Sequence, residues 1–397
     1  MLIVLLMKTT TTLRAALPLT LAGLLFACGS PSSSPSDPSE GDPSGAGEEG
    51  KTTPPIATPA PTPPAAAPPA PAPAPVPAPV LIPTAKIHAA PVFTYAVAED
   101  AVWVATDIAV ERMKPDGTLP APVPALANAM ALATDGARIF AFIDKGLTYE
   151  LFSMKSDGTE GAHHLNWSWS TGDPSALTLH DGRAYFRSTN PERPSQSLIA
   201  SVPAAPPVGG GNVAWRLEEY VDAQTLSLAF APDRVFSVDF YRQSAATRVS
   251  LIDTSKSVDV VHAEVPYSAG GIAADATDVF TRTTKGIVKV AIGSGQGTEP
   301  VIAVPSATCS IFDPADGSES ALDDALVVDE TTIYTACRAG ANVEVRAYPK
   351  NGTAPKVIAT APYTGGISHL KVTTTAVYWL SKASVDSMDD ELWRASK

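Results

Sequence analysis

From about residue 91 onwards the chain alternates short apolar runs with tight polar turns, and one unit recurs. An apolar strand leads into a polar turn, and a small or branched apolar residue then precedes an aromatic. The unit is seen in Tyr95-Ala-Val-Ala-Glu-Asp-Ala-Val-Trp103, in Ala131-Leu-Ala-Thr-Asp-Gly-Ala-Arg-Ile-Phe140 and in Leu326-Val-Val-Asp-Glu-Thr-Thr-Ile-Tyr334. Its aromatic anchors are Trp103, Phe140, Tyr185, Phe236, Phe280, Tyr334 and Tyr378, spaced 37 to 54 residues apart. After each anchor comes a further alternating stretch, often ending in a turn such as Asp116-Gly117-Thr118, Asp157-Gly158-Thr159 or Asn351-Gly352-Thr353. Asp-Gly and Asn-Gly are strong hairpin signals because type I′ turns need positive φ. A fourth apolar stretch follows in most units, for example Lys356–Thr360 and Val258–His262.

Four short antiparallel strands per unit of about 45 residues is the pattern of a β-propeller blade. An open β-sandwich is the competing architecture, and seven recurrences of one turn-and-aromatic pattern weigh against it. The expectation is therefore an all-β domain over 85–397, a single propeller of seven four-stranded blades. Its anchors are read as packing between blades, not as a ligand box. The seventh unit shows strands near 369–372, 377–380 and 391–395, so the segment 85–90 is expected to supply its outer strand and close the ring.

Upstream of the repeats the composition changes twice. Residues 28–84 are Ser/Gly/Asp/Glu-rich and then Pro/Ala-rich, with 18 of the 38 prolines between Pro31 and Pro83. That excludes helix and sheet and predicts a disordered tether, its Pro-rich part a polyproline spacer of order 100 Å. Residues 1–27 carry Lys8 and Arg14 followed by an apolar run too short to span a bilayer. The run closes on Leu25-Phe26-Ala27-Cys28, which resembles the lipobox of bacterial lipoproteins. The resemblance implies removal of 1–27, a diacylglycerol thioether on Cys28 and acylation of the new N-terminus. Gly29, standing where an Asp favours inner-membrane retention in enterobacterial lipoproteins, implies the outer membrane, with either leaflet open. An ordinary cleaved signal peptide is the alternative. Because apolar residues precede the basic region, Met7 is a candidate initiator.

The chain has 28 basic and 41 acidic residues, and loss of Lys8 and Arg14 with the leader leaves 26 against 41. An acidic surface of this kind excludes nucleic acid as a partner. The expected partners are the membrane, through the lipid anchor, and an envelope protein or glycan; the chain is expected to be a monomer. With Cys28 lipidated, Cys309 and Cys337 remain, and a disulfide in an oxidising compartment is preferred over a metal site.

In a propeller blade the turns between strands one and two, and three and four, share one face. The connections between strands two and three, and between blades, share the other. The long segments 188–197, 239–247, 306–324 and 382–390 all fall on the second face, which makes it the candidate binding face. Both cysteines are expected there. No cofactor is expected beyond Ca²⁺, for which Asp313, Asp316 and Glu319, with Asp323 and Asp324 behind them, are candidate ligands around Gly317. A solvated acidic loop is the plainer reading. Gly293-Ser-Gly-Gln-Gly297 reads as a turn, not a phosphate loop. His163 and His164 are adjacent on a strand and should face opposite ways, while Trp167 and Trp169 share a strand face and are read as packing.

The repeats resemble the degenerate propeller blades of bacterial lipoproteins and, more loosely, quinoprotein-like and lactonase-like propellers. They lack the tryptophan-docking signature of quinoproteins, which argues against a bound quinone. Fold carries over on that basis and activity does not. The first reading is a membrane-anchored, non-enzymatic binding or scaffold propeller with no catalytic residues. The second is an enzyme of lactonase, lyase or glycan-hydrolysing type, with acidic side chains converging on the central channel.

Overall fold

Strands of two to eight residues pair into seven four-stranded antiparallel sheets in the computed structural model. The structure describes residues 84–89, 91–168, 174–189, 197–208, 216–221, 224–232, 234–241, 246–253, 258–265, 268–283, 285–292, 299–307, 309, 325–362, 367–382 and 389–397. Six blades are simple meanders, over 94–122, 129–168, 174–221, 224–265, 268–305 and 326–362. The seventh takes its three inner strands from Ile367–Val372, Ala376–Lys382 and Asp390–Ser396 and its outer strand from Thr84–His88. Seven blades and the all-β class are as the repeats predict.

The closing strand begins one residue earlier than expected and pairs Thr84 with Ala395, Ala85 with Arg394 and Lys86 with Trp393. Lys86 also reaches Glu391 at 2.9 Å. Further bonds join blade 7 to blade 1. Tyr95 donates its hydroxyl to the His369 carbonyl, and Glu99 accepts from the amide and the hydroxyl of Thr374, both at 2.8 Å. Lys371 donates to the Tyr95 carbonyl, and burial of its ammonium pulls its pKa down to about 8 although the residue keeps part of its surface accessible. Pairing with Ala395 sets Thr84 on the face that carries the short turns.

The aromatic anchors explain how sheets become a ring. All seven are buried, and all lie at the second or third residue of the second strand of their blade. Each packs into the cluster that joins its own blade to the next. Trp103 lies between blades 1 and 2, Phe140 between 2 and 3, Tyr185 between 3 and 4 and Phe236 between 4 and 5. Phe280 and Tyr334 continue the series, and Tyr378 closes it against Tyr95 and Val104 of blade 1. One ring per seam removes a large apolar surface from water, and that burial holds neighbouring sheets together. Trp167 belongs to the same scheme, edge-on to Phe186 at 4.9 Å; Trp169 lies outside the described residues.

The turns refine the expectation. Both central residues have positive φ at Asp181-Gly182, the type I′ geometry. At Asp116-Gly117, Asp157-Gly158 and Asn351-Gly352 only the glycine does. There the Asp or Asn side chain takes over, accepting the amide two residues on at 2.9 to 3.1 Å and the Thr hydroxyl at 2.6 to 2.9 Å. Glycine at 117 has a second reason: a Cβ there would stand 2.8 Å from Ile87 of the closing strand.

Candidate binding surface on the loop-bearing face

The connections Thr106–Ala109 of blade 1 and Asp144–Thr148 of blade 2 emerge side by side on the loop-bearing face. Both are stiff. The Thr106 hydroxyl donates to the Ala109 carbonyl at 3.0 Å and accepts the amides of Ile108 and Ala109. Asp144 Oδ1 accepts the Gly146 amide at 2.6 Å, and the Lys145 amide donates to the Thr148 carbonyl at 2.9 Å. These bonds leave the intervening apolar residues in water: Ile108 is 81% exposed and Leu147 83%. Phe93, on the connection entering blade 1, is 57% exposed, and Met130, on the inner strand of blade 2, is 40% exposed. A cavity of about 780 Å³ opens among Phe93, Thr106, Asp107, Asn128, Met130 and Asp144.

Met130 owes its exposure to a β-bulge. Inner strands of five blades break register near their loop-bearing ends, at 129/131, 175/178, 225/227, 268/272 and 368/371. A bulge re-aims the extra side chain. Met130, Ala176 and His369 are the exposed residues of three of these breaks, and the last two sit at φ +53°. These exposed bulge residues lie at the loop-bearing ends of their inner strands.

The cleft is acidic at its margin. Asp107 and Asp144 are exposed, while the Lys145 ammonium is 3.2 Å from Glu150 Oε2, and Glu150 Oε1 also meets His163 Nδ1 at 2.9 Å. Burial raises the Glu150 carboxyl, but the bonds from His163 and Lys145 outweigh it and hold the group below its ordinary range.

Catalytic constellations fare differently. Among the described residues, none of the seven inner strands carries an Asp or Glu. No group of three or more metal-binding side chains occurs among the described residues. Ser153 Oγ lies 2.8 Å from His164 Nε2, with the Arg138 guanidinium donating to the same hydroxyl at 3.0 Å. Both Ser153 and His164 are fully buried, and burial lowers the histidine to about 4. No substrate reaches this pair. It is a strut, echoed in blade 3 by Arg183 on Ser201 at 2.8 Å. His163 faces the other way, as strand alternation requires.

Cys309 and Cys337 form the expected disulfide, with Cα atoms 4.9 Å apart. Both are buried in the cluster between blades 5 and 6, below the loop-bearing face and not on its surface. Several expectations lie outside the described residues: lipidation at Cys28, the Ca²⁺ ligands Asp313, Asp316 and Glu319, the 293–297 turn and most of the four long loops. Loop length gives no sign of the cleft over blades 1 and 2, whose connections are short. Its signal was an apolar residue inside each short polar turn, Ile108 and Leu147.

No protein-family model and no curated protein sequence matches the chain. Solved structures share its fold. The β-propeller domain of the trilobed protease from Pyrococcus furiosus, described as having an open velcro topology, aligns with TM-score 0.53 at 9% identity. The alignment covers 78% of this chain and 94% of that one. YCF48 from Cyanidioschyzon merolae aligns with TM-score 0.50 at 12% identity over 79% of this chain and 98% of its own. At these identities the likeness establishes the propeller and nothing of its activity.

Proposed function

We propose that the chain is a lipid-anchored protein of the bacterial cell envelope whose propeller is a non-enzymatic binding or scaffold module working through its loop-bearing face. The observation that carries the binding reading is the gathering of exposed apolar side chains. Among the described residues eight large apolar side chains are exposed; Phe93 and Met130 line one cleft, and Ile108 and Leu147 directly follow its lining residues Asp107 and Gly146. Anchoring is supported by Leu25-Phe26-Ala27-Cys28 and the Pro/Ala-rich stretch after it. The closing strand starts with Thr84 on the short-turn face, opposite the loop-bearing face. The outer membrane is the proposed location.

Metabolic labelling with an alkyne fatty acid, followed by membrane fractionation, tests the anchor. The native chain should take up label and sediment with outer membranes, and Cys28→Ala should do neither. A labelled Cys28→Ala chain, or an unlabelled soluble native chain, contradicts the anchor.

A further inference from the structure

The cleft has the carboxylates of Asp107 and Asp144 beside its apolar side chains, and Lys145, the basic residue among its described lining residues, is paired with Glu150. We propose that the cleft over blades 1 and 2 receives a segment of a partner protein carrying apolar side chains together with Lys or Arg, an inference that rests on the loop-bearing face being the binding face. Phe93 and Met130 in the cleft, with the exposed Ile108 and Leu147 on the turns that border it, supply apolar contact, and Asp107 and Asp144 supply the sites for the cations.

Charge decides between occupants. A second copy would bring the same carboxylates face to face on chains of net charge −13. Anionic lipid headgroups and nucleic acid meet the same repulsion. A sugar ring wants stacking aromatics and paired hydrogen-bonding groups, and among the described residues that line this cleft Phe93 is the one aromatic side chain. A basic, apolar protein segment satisfies both features at once. The anchors are held by hydrogen-bonded turns, so little ordering is needed on binding.

The test uses the mature chain in detergent and two fluorescent probes, peptides alternating Leu with Lys or Leu with Glu. Binding of the Leu-Lys peptide should be at least tenfold tighter than that of the Leu-Glu peptide and should weaken with salt. Ile108→Ser with Leu147→Ser should weaken it at least tenfold. Asp107→Asn with Asp144→Asn, which keeps the Asp144 acceptor for Gly146, should erase the preference between peptides. Leu119→Ser on the short-turn face should change nothing. Equal binding of both peptides, or equal effects of the Leu119 and rim variants, overturns the proposal. So does rim-dependent sedimentation with phosphatidylglycerol vesicles, or rim-dependent self-association. If the rim variants are silent while a photo-crosslinker at Ala176 captures a partner in cells, the partner class is wrong and the binding face stands. Capture from the short-turn face alone removes both.

Discussion

Lys397 Nζ stands 3.1 Å from Asp329 Oδ2 in the turn of the preceding blade, and 4.7 Å from the centre of the Tyr334 ring. One blade earlier Lys350 bonds Asp275 and lies 5.4 Å from the centre of Phe280. Each lysine follows the third strand of its blade, and each covers the anchor ring of the blade before. The seam thus repeats a latch as well as a ring.

The latch has a measurable coupling. Burial raises the Asp329 carboxyl, but the Thr331 amide, Lys397 and the Tyr334 hydroxyl outweigh it and hold the group below its ordinary value. A depressed carboxylate stabilises the fold above its unfolded pKa, and that contribution is lost as pH falls through the folded one. A double-mutant cycle of Asp329→Asn and Lys397→Met, followed by urea unfolding at pH 7, should give a coupling of about 0.5 to 1 kcal/mol. Zero coupling makes the latch ornamental.

His164 predicts an acid limit. Its folded pKa of about 4 lies below the ordinary 6.5, chiefly through burial. The unfolded chain therefore takes the proton first, and stability is lost as pH falls from about 6.5 towards 4, by about 3 kcal/mol at most. His164→Gln, which retains an acceptor and a donor for Ser153 without titrating, should flatten that stretch of the pH profile. Urea midpoints at pH 7 and pH 4.5 decide it; identical losses in both proteins refute the assignment.

Two glycines separate backbone strain from ring closure. Gly136 has φ +89° and nothing within 4 Å of an added Cβ, so Gly136→Ala should lose about 1 kcal/mol. Gly117 has φ +81° and Ile87 in the way, so Gly117→Ala should lose roughly 2 to 3 kcal/mol. Hydrogen exchange should localise the extra loss to the closing strand Thr84–His88. Equal losses at the two sites would place the closing strand away from the Gly117 turn.

The disulfide links positions 28 residues apart and ties blade 5 to blade 6. Cys309→Ser with Cys337→Ser should lower unfolding free energy by roughly 2 to 4 kcal/mol. Non-reducing peptide mapping of the native chain should recover the linked pair; two free thiols would contradict it.

Much of the fold was legible because the propeller repeats its physics. Trp103, Phe140 and their counterparts occur once per blade, at the position where a large ring must fill a seam. The closing strand was legible from bookkeeping of strands. The working cleft was harder to see, since Ile108 and Leu147 break a polar turn by a single residue each. Only the ring brings those turns beside Phe93 and Met130. The Ser153–His164 strut was also invisible, because its partners meet through pairing of the third and fourth strands of blade 2 and packing against the next blade.

The most direct test places a photo-crosslinking amino acid at Ile108 on the loop-bearing face, or at Leu119, 68% exposed on the short-turn face. Both chains keep Cys28 and are irradiated in intact cells. The account predicts a discrete protein adduct from position 108 and none from position 119. Adducts from position 119 alone would contradict it.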